Sequence, residues 1–394
     1  MRALVIGLLV FCLAMPAMAA DTVKEMFTEG SFNGQIKLLS FTRDYDEGTT
    51  DQQSYALGGS FYYRTAPLKG ISFGAAFSTT NNIDSPDDKN TYAGLLAAGQ
   101  ESVARMQEYY VQGDWMNTQI KIGAQEVNTP FLCKHDVRMM PRTFRGVSLV
   151  NTSFEGLKIS AYYLRDAMDW DDENFSPISD SINSKISSKP VYMLGLNYKL
   201  PVKALNASVQ GWGFSMPDVF NQTYFSAAFS KKIDNVVLHA SPTFFTQDSQ
   251  GDDLAGDLDT YQYGMNLGVS AYGFDLTGFY SKTGDDGIVD PWGYGKIIIQ
   301  QVYNSGIFAD QDAWAARLSY DFAQAGIKGL GAYVFYADYD SPGTTFDMEE
   351  TDLSIQYAFS GALEGFSVRA RHAIIDKESG EDFTDSRFYL MFNF

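Results

Sequence analysis

The sequence predicts an all-β fold, a transmembrane antiparallel β-barrel of about 18 strands with short periplasmic turns and long extracellular loops. Three observations predict it. Segments of about ten residues, apolar at every second position, recur from Phe32 onward. The links between them alternate short and long. The final residue, Phe394, closes one such segment.

The first stretch reads as targeting rather than structure. Met1 and Arg2 precede an apolar run from Ala3 to Ala14, too short to span a bilayer and suited to an export signal. Pro16 breaks the run and Ala17-Met18-Ala19 supplies a small-residue cleavage site. Residues 1–19 are therefore expected to be a signal peptide, and 20–394 one outer-membrane barrel domain. Cys12 falls inside the run, which leaves Cys133 alone beyond it. One cysteine forms neither an internal disulfide nor a thiolate metal cage.

The strand pattern is clearest near the C terminus. Phe388, Leu390, Phe392 and Phe394 share one face, and Arg387, Tyr389, Met391 and Asn393 the other. Leu353, Ile355, Tyr357 and Phe359 alternate with Asp352, Ser354, Gln356 and Ala358. Leu57, Phe61 and Tyr63 alternate with Ala56, Ser60, Tyr62 and Arg64. A period of two sends one set to lipid and the other to a lumen. Strands are expected to start near Phe32, Tyr55, Ile71, Gln107, Thr118, Phe144, Leu157, Val191, Ala204, Gln222, Val236, Asp259, Phe274, Ala313, Leu330, Glu349, Phe366 and Ser386. Short links such as Met116-Asn117 and Tyr272-Gly273 alternate with long ones such as 80–105, 126–143, 166–189 and 282–312. With the first strand running outward, every long link lands outside. Within the first of these, Ala93–Ala98 suits a short helix.

Composition narrows the function classes. Asp and Glu number 48 against 29 Lys and Arg, for a net charge of −19. That excess disfavours nucleic acid, whose phosphates need a basic surface. His135, His239 and His372 lie in three separate segments without metal-ligand spacing. No serine-nucleophile motif, P-loop or dinucleotide fingerprint occurs. The acidic runs 169–173 and 252–253 suit either a hard cation or, in preference, a solvated loop face, and acidic external loops suit the divalent-cation layer of lipopolysaccharide. The chain is expected to be no enzyme and to need no cofactor or metal.

Parity places the basic residues. Arg64, Lys121, Arg317, Arg369, Arg371 and Arg387 all fall on the inward face. Fixed guanidinium groups along a wet lumen favour carboxylates, or they pair with lumenal Asp352 and Asp321 and stiffen the wall. The link 129–146 is dense in Pro, cations and bulky apolar groups, and its Pro130, Lys134, Asp136, Arg138 and Pro141 suit a loop folded inward as a constriction.

The spacing of Gly123, Pro130, Asp136-x-Arg138, Pro141 and Phe144-x-Gly146 resembles the third-loop region of OprD-type outer-membrane porins. That resemblance implies a substrate-specific diffusion channel of Gram-negative bacteria for small hydrophilic solutes, among them amino acids or organic acids bearing carboxylates. It implies that Lys134, Asp136 and Arg138 are constriction residues and that 282–312 is a second constricting loop. Arg317, Arg369, Arg371 and Arg387 become a basic ladder. The terminal Phe394 resembles the signal read by the outer-membrane assembly machinery. The expected surroundings are outer-membrane lipids and lipopolysaccharide, with the barrel a monomer or trimer. Two alternatives share the pattern: a general cation-preferring porin, and a barrel sheath around an exported redox partner.

Overall fold

The computed structural model describes residues 19–293, 295–342 and 347–394. The expected export signal therefore lies outside the described residues except for Ala19. A short helix, α1 (Val23–Thr28), precedes the strands β1 (Ser31–Tyr45), β2 (Gln52–Arg64), β3 (Ile71–Asn82), β4 (Val103–Trp115), β5 (Thr118–Gln125) and β6 (Thr143–Phe154). Next come β7 (Leu157–Met168), the two-residue β8 (Ser176–Pro177), β9 (Val191–Leu200), β10 (Asn206–Met216), β11 (Phe220–Ile233), β12 (Val236–Ser249) and β13 (Asp259–Ala271). The chain ends with β14 (Phe274–Thr283), β15 (Asp312–Asp321), β16 (Leu330–Asp340), β17 (Met348–Ala358), β18 (Phe366–Lys377) and β19 (Phe383–Asn393).

Each long strand pairs antiparallel with the next, β7 pairs directly with β9, and β1 pairs with β19 through Gln35–Asn393 to Tyr45–Phe383. Eighteen strands thus close a barrel without an edge, which is what a hydrocarbon environment demands of backbone hydrogen bonds. The short β8 lies outside the wall and pairs only with Asp166 and Ala167 of β7.

The expected strand starts match the observed ones to within four residues. The largest offset, Gln107 against Val103, has a local cause. Ala76 pairs with Glu108 while Phe77 pairs with Met106, so Gln107 is the extra residue of a bulge that breaks the alternation.

The faces sort as a period of two requires. Leu57, Leu276, Leu353, Ile355 and Phe388 project outward from the barrel. Ser60, Thr277, Ser354, Asp352 and Asp385 project inward and are buried. Aromatic side chains gather toward both ends of the outer face. Trp115, Phe154, Tyr272 and Phe274 mark the short-turn end, and Tyr261, Tyr263, Tyr280 and Trp314 the loop end. Tyr280 lies six positions beyond Phe274, about 20 Å of strand, in keeping with girdles at two membrane interfaces.

All the long links leave the same end, at 83–102, 126–142, 169–190, 250–258 and 284–311. The opposite end carries links of two to eight residues and α1, whose Met26 packs on Ala66 and Leu68. Thr22 and Glu25 form a capping box there. The expected helix at Ala93–Ala98 is not formed. That stretch makes isolated bridges and turns, with Gly94 and Gly99 at φ +81° and +76°. Left-handed glycines at both ends break the helical hydrogen-bond run.

Candidate functional site

The barrel encloses a cavity of about 3460 Å³ lined from the turn end to the inner loops. The loop 126–142 crosses this space, and its root explains two glycines of the sequence motif. Gly123 and Gly146 face each other across β5 and β6. A Cβ on Gly123, at φ +133°, would stand 2.2 Å from the Tyr109 carbonyl oxygen. One on Gly146 would stand 2.0 Å from that of Tyr163. Side chains at either position are excluded by the closeness of the neighbouring strand.

Beyond the root the loop is anchored on two sides. Phe131, 1 % exposed, packs against Phe214, Tyr224 and Phe245 of β10, β11 and β12. At the other anchor Asp136 forms an ion pair with Lys37 of β1, whose ammonium also donates to the Arg138 carbonyl at 2.9 Å. Lys134 pairs with Glu126 at 2.9 Å, and Glu126 accepts from the Tyr62 hydroxyl at 2.7 Å. The Arg138 guanidinium lies 5.2–5.6 Å from the ring centres of Phe41, Tyr92 and Trp170. Lys134, Asp136 and Arg138 line the cavity. The two prolines work through their carbonyls: Pro130 accepts from the Gly295 amide at 2.8 Å, and Pro141 from Arg105 at 2.8 Å and Gln107 at 2.6 Å.

Two further loops reach the same space. The ends of 284–311 are held by Lys282, which pairs with Asp312 at 2.7 Å. Its tip is nailed to the wall by carboxylates: Glu350 accepts the amides of Val302 and Tyr303 at 2.8 Å each, and Asp352 that of Gln301 at 3.0 Å. The loop 83–102 was not expected inside, yet Tyr92, Leu95 and Leu96 are buried with Phe41, Met139, Met140 and Tyr389. Its only sequence signal was an apolar run in a supposed external loop. The acidic run 169–173 is partly consumed by packing at the end of the loop 126–142: Arg142 pairs with Asp169 at 2.7 Å and lies 3.8 Å over the Trp170 ring. No cluster of three His, Cys, Asp or Glu with metal-binding geometry occurs among the described residues.

The inward cations separate into two kinds. Arg64 pairs with Asp114 at 3.3 Å, Arg371 approaches Asp352 at 3.7 Å, and Arg387 pairs with Asp385 at 2.7 Å. Lys121 instead sits 4.1 Å over the Tyr110 ring, Arg317 lies between Phe279 and Phe335, and Arg369 meets the hydroxyls of Ser354 and Tyr333 at 3.3 and 3.4 Å. Lys121, Arg138, Arg317 and Arg369 have no ion-pair partner among the described residues, and all four line the cavity with Arg64 and Arg371. Arg387 does not reach it; its side chain is 2 % exposed. Asp321 takes no arginine and caps the turn at Ala323. Arg317 and Arg369 are three strands apart, roughly 14 Å, so β16 and β17 intervene between them. The partners Lys37, Arg43 and Tyr92 escaped sequence reasoning because each acts through a contact remote in the chain, and Asp385 because all but its Arg387 side-chain contacts are remote.

Phe394 continues the ladder past β19, with its amide donating to the Gly34 carbonyl at 3.1 Å. Its ring joins Phe32, Phe61 and Phe392 at the turn end of the barrel.

A family profile described as "outer membrane porin, OprD family" matches residues 84–394. The chain is 22% identical over 391 residues to Porin D of Pseudomonas aeruginosa, covering 89% of this chain and 86% of that one. It is 23% identical to the porin-like protein GalP of Pseudomonas putida over 219 residues, a match that spans 54% of this chain and about half (52%) of that protein. Among solved structures, Pseudomonas aeruginosa OccK9 (OpdG) superposes with a TM-score of 0.83 at 23% identity, covering 93% of this chain and 99% of that one. A BenF-like porin from Pseudomonas fluorescens superposes with a TM-score of 0.83 at 17% identity, over 93% and 99%. OpdK of Pseudomonas aeruginosa, determined with vanillate, does so at 0.81 and 19%, over 94% and 99%.

Proposed function

Because this chain belongs to the OprD family of outer-membrane porins, channels rather than enzymes, we propose that it is a passive, anion-preferring pore for small hydrophilic solutes bearing a carboxylate. One observation carries the reading. The whole chain is strongly acidic, yet eleven lysines and arginines line the cavity against six carboxylates. Charge in a narrow, low-dielectric passage acts on permeating ions far more than charge on solvated loops, where salt screens it within about 8 Å.

The uncommitted cations are the effective ones. Arg317 and Arg369 present guanidinium groups to the cavity without a competing carboxylate. A planar guanidinium binds both oxygens of a carboxylate, which gives such solutes successive weak sites rather than one deep trap. The loops 126–142 and 284–311 are read as the constriction that brings solutes within reach of this wall. The vanillate found with OpdK is itself a carboxylate. Phe394 is read as the assembly signal, on the strength of its ring, which stacks on Phe392 and extends the outward aromatic face of β19.

The test is reversal potential in a potassium chloride gradient across planar bilayers, for the parent and for Arg369→Ala plus Arg371→Ala. The expected result is a several-fold fall in the anion-to-cation permeability ratio. An unchanged ratio in folded barrels would sink the reading. Liposome swelling with matched amino acids, organic acids and sugars then ranks the solutes.

A further inference from the structure

We propose that Asp385 is the positioning residue of the constriction, a single buried carboxylate that seats two inward loops and silences two wall arginines. In this arrangement Arg387 shapes the channel and is not a rung that passing anions touch. The proposal rests on the reading of the inward loops as the constriction.

Asp385 projects inward from β19 and is fully buried. Its Oδ2 accepts from Arg43 Nε at 3.0 Å, from Arg43 Nη2 at 2.8 Å and from the Tyr92 hydroxyl. Its Oδ1 accepts from Arg387 Nε at 2.7 Å and from Gln301 Nε2 at 2.8 Å, and its main-chain carbonyl accepts from that same amide at 2.6 Å. Tyr92 belongs to the loop 83–102 and Gln301 to the loop 284–311. Two loops about 200 residues apart therefore end on one carboxyl group.

The donor inventory leaves no freedom in this network. A carboxylate only accepts and a guanidinium only donates. The single Tyr92 proton therefore goes to Asp385, and the hydroxyl oxygen is left to accept from Arg387 Nη2 at 2.9 Å and Arg43 Nη2 at 3.3 Å. The third loop joins through packing. Arg138 lies 5.4 Å from the Tyr92 ring centre and 5.6 Å from that of Phe41, and Arg387 lies 5.6 and 5.3 Å from the same rings. Tyr92 is thus held at its hydroxyl by Asp385 and presents its ring to both guanidinium groups. Removing the carboxylate would leave two buried cations facing each other and release both loops at once.

The experiment measures single-channel conductance and reversal potential for the parent, Asp385→Asn, Asp385→Asn with Arg387→Met, and Tyr92→Phe, after heat-modifiable gel migration confirms folded barrels. Asp385→Asn is expected to raise conductance at least twofold, with frequent current steps, and to raise the anion-to-cation permeability ratio. Adding Arg387→Met is expected to return that ratio to the parental value while the conductance stays high, an outcome that simple loosening of the structure does not produce. Tyr92→Phe, which removes one donated and two accepted hydrogen bonds but leaves the carboxylate in place, is expected to raise conductance by a smaller factor. Parental conductance and permeability ratio in folded Asp385→Asn would overturn the proposal, and so would failure of the second substitution to restore the ratio. Should Asp385→Asn not assemble, Tyr92→Phe decides, with parental current overturning it. A null result for Arg369→Ala plus Arg371→Ala would instead count against the carboxylate-channel reading, because those side chains make no hydrogen bond or ion pair with Asp385.

Discussion

Lys37 of β1 and Asp136 of the loop 126–142 form an ion pair across the lumen, 99 residues apart in the chain. Lys37 is nearly inaccessible at 4 % exposure and Asp136 is 20 % exposed. With Phe131 buried against the far wall, the loop is tethered at two opposite points. On the reading of this loop as the constriction, a loop so held narrows the channel permanently instead of flickering across it.

Breaking this pair on one side is expected to be costlier than removing it entirely. Lys37→Met leaves the Asp136 carboxylate without its cation, a loss of about 3 kcal/mol by analogy with other buried pairs. Single-channel recordings should show a larger mean conductance and added open-channel noise. Lys37→Met with Asp136→Leu should recover much of the parental trace, since an apolar contact replaces both charges. Equal noise in the single and double variants would argue against the tether.

The root of the loop makes a folding prediction. Gly146→Ala places a Cβ 2.0 Å from the Tyr163 carbonyl and 2.8 Å from Leu164 Cα, which no side-chain rotation relieves. Folded, heat-modifiable barrel recovered from membranes should fall at least severalfold. Gly213→Ala, which meets nothing within 4 Å, should match the parent. Similar yields for both variants would show that close strand approach is not the reason for the glycine.

His135 supplies a pH prediction. Burial, with Arg142 and Arg138 nearby, lowers its imidazole to about 3. An unseated loop takes up a proton below about 6.5, whereas the seated loop stays neutral down to about 3. The released state therefore binds more protons in that window, and seating weakens as pH falls. At pH 5 the loss is about 2 kcal/mol. Current fluctuations should increase from pH 7 to pH 5 in the parent and increase less in His135→Asn. The same rise in both would remove His135 from the account.

The barrel itself was legible because lipid on one side and water on the other impose a period of two on every strand. Alternation located all eighteen strands, and the one sizeable error, at Gln107, fell on a bulge where the period is locally interrupted. Parity likewise placed Arg64, Lys121, Arg317, Arg369, Arg371 and Arg387 on the inward face, because it is a property of neighbouring residues. Which of these cations remain unpaired is not. Arg387 meets Asp385 on its own strand, but Tyr92, Arg43 and Gln301 reach that carboxylate only after barrel closure and loop folding. The sequence alone determined a membrane barrel with an acidic composition and basic residues on its inward face. The tertiary structure decided which charges remain exposed to a solute, because neutralisation in a lumen depends on partners that chain distance does not reveal.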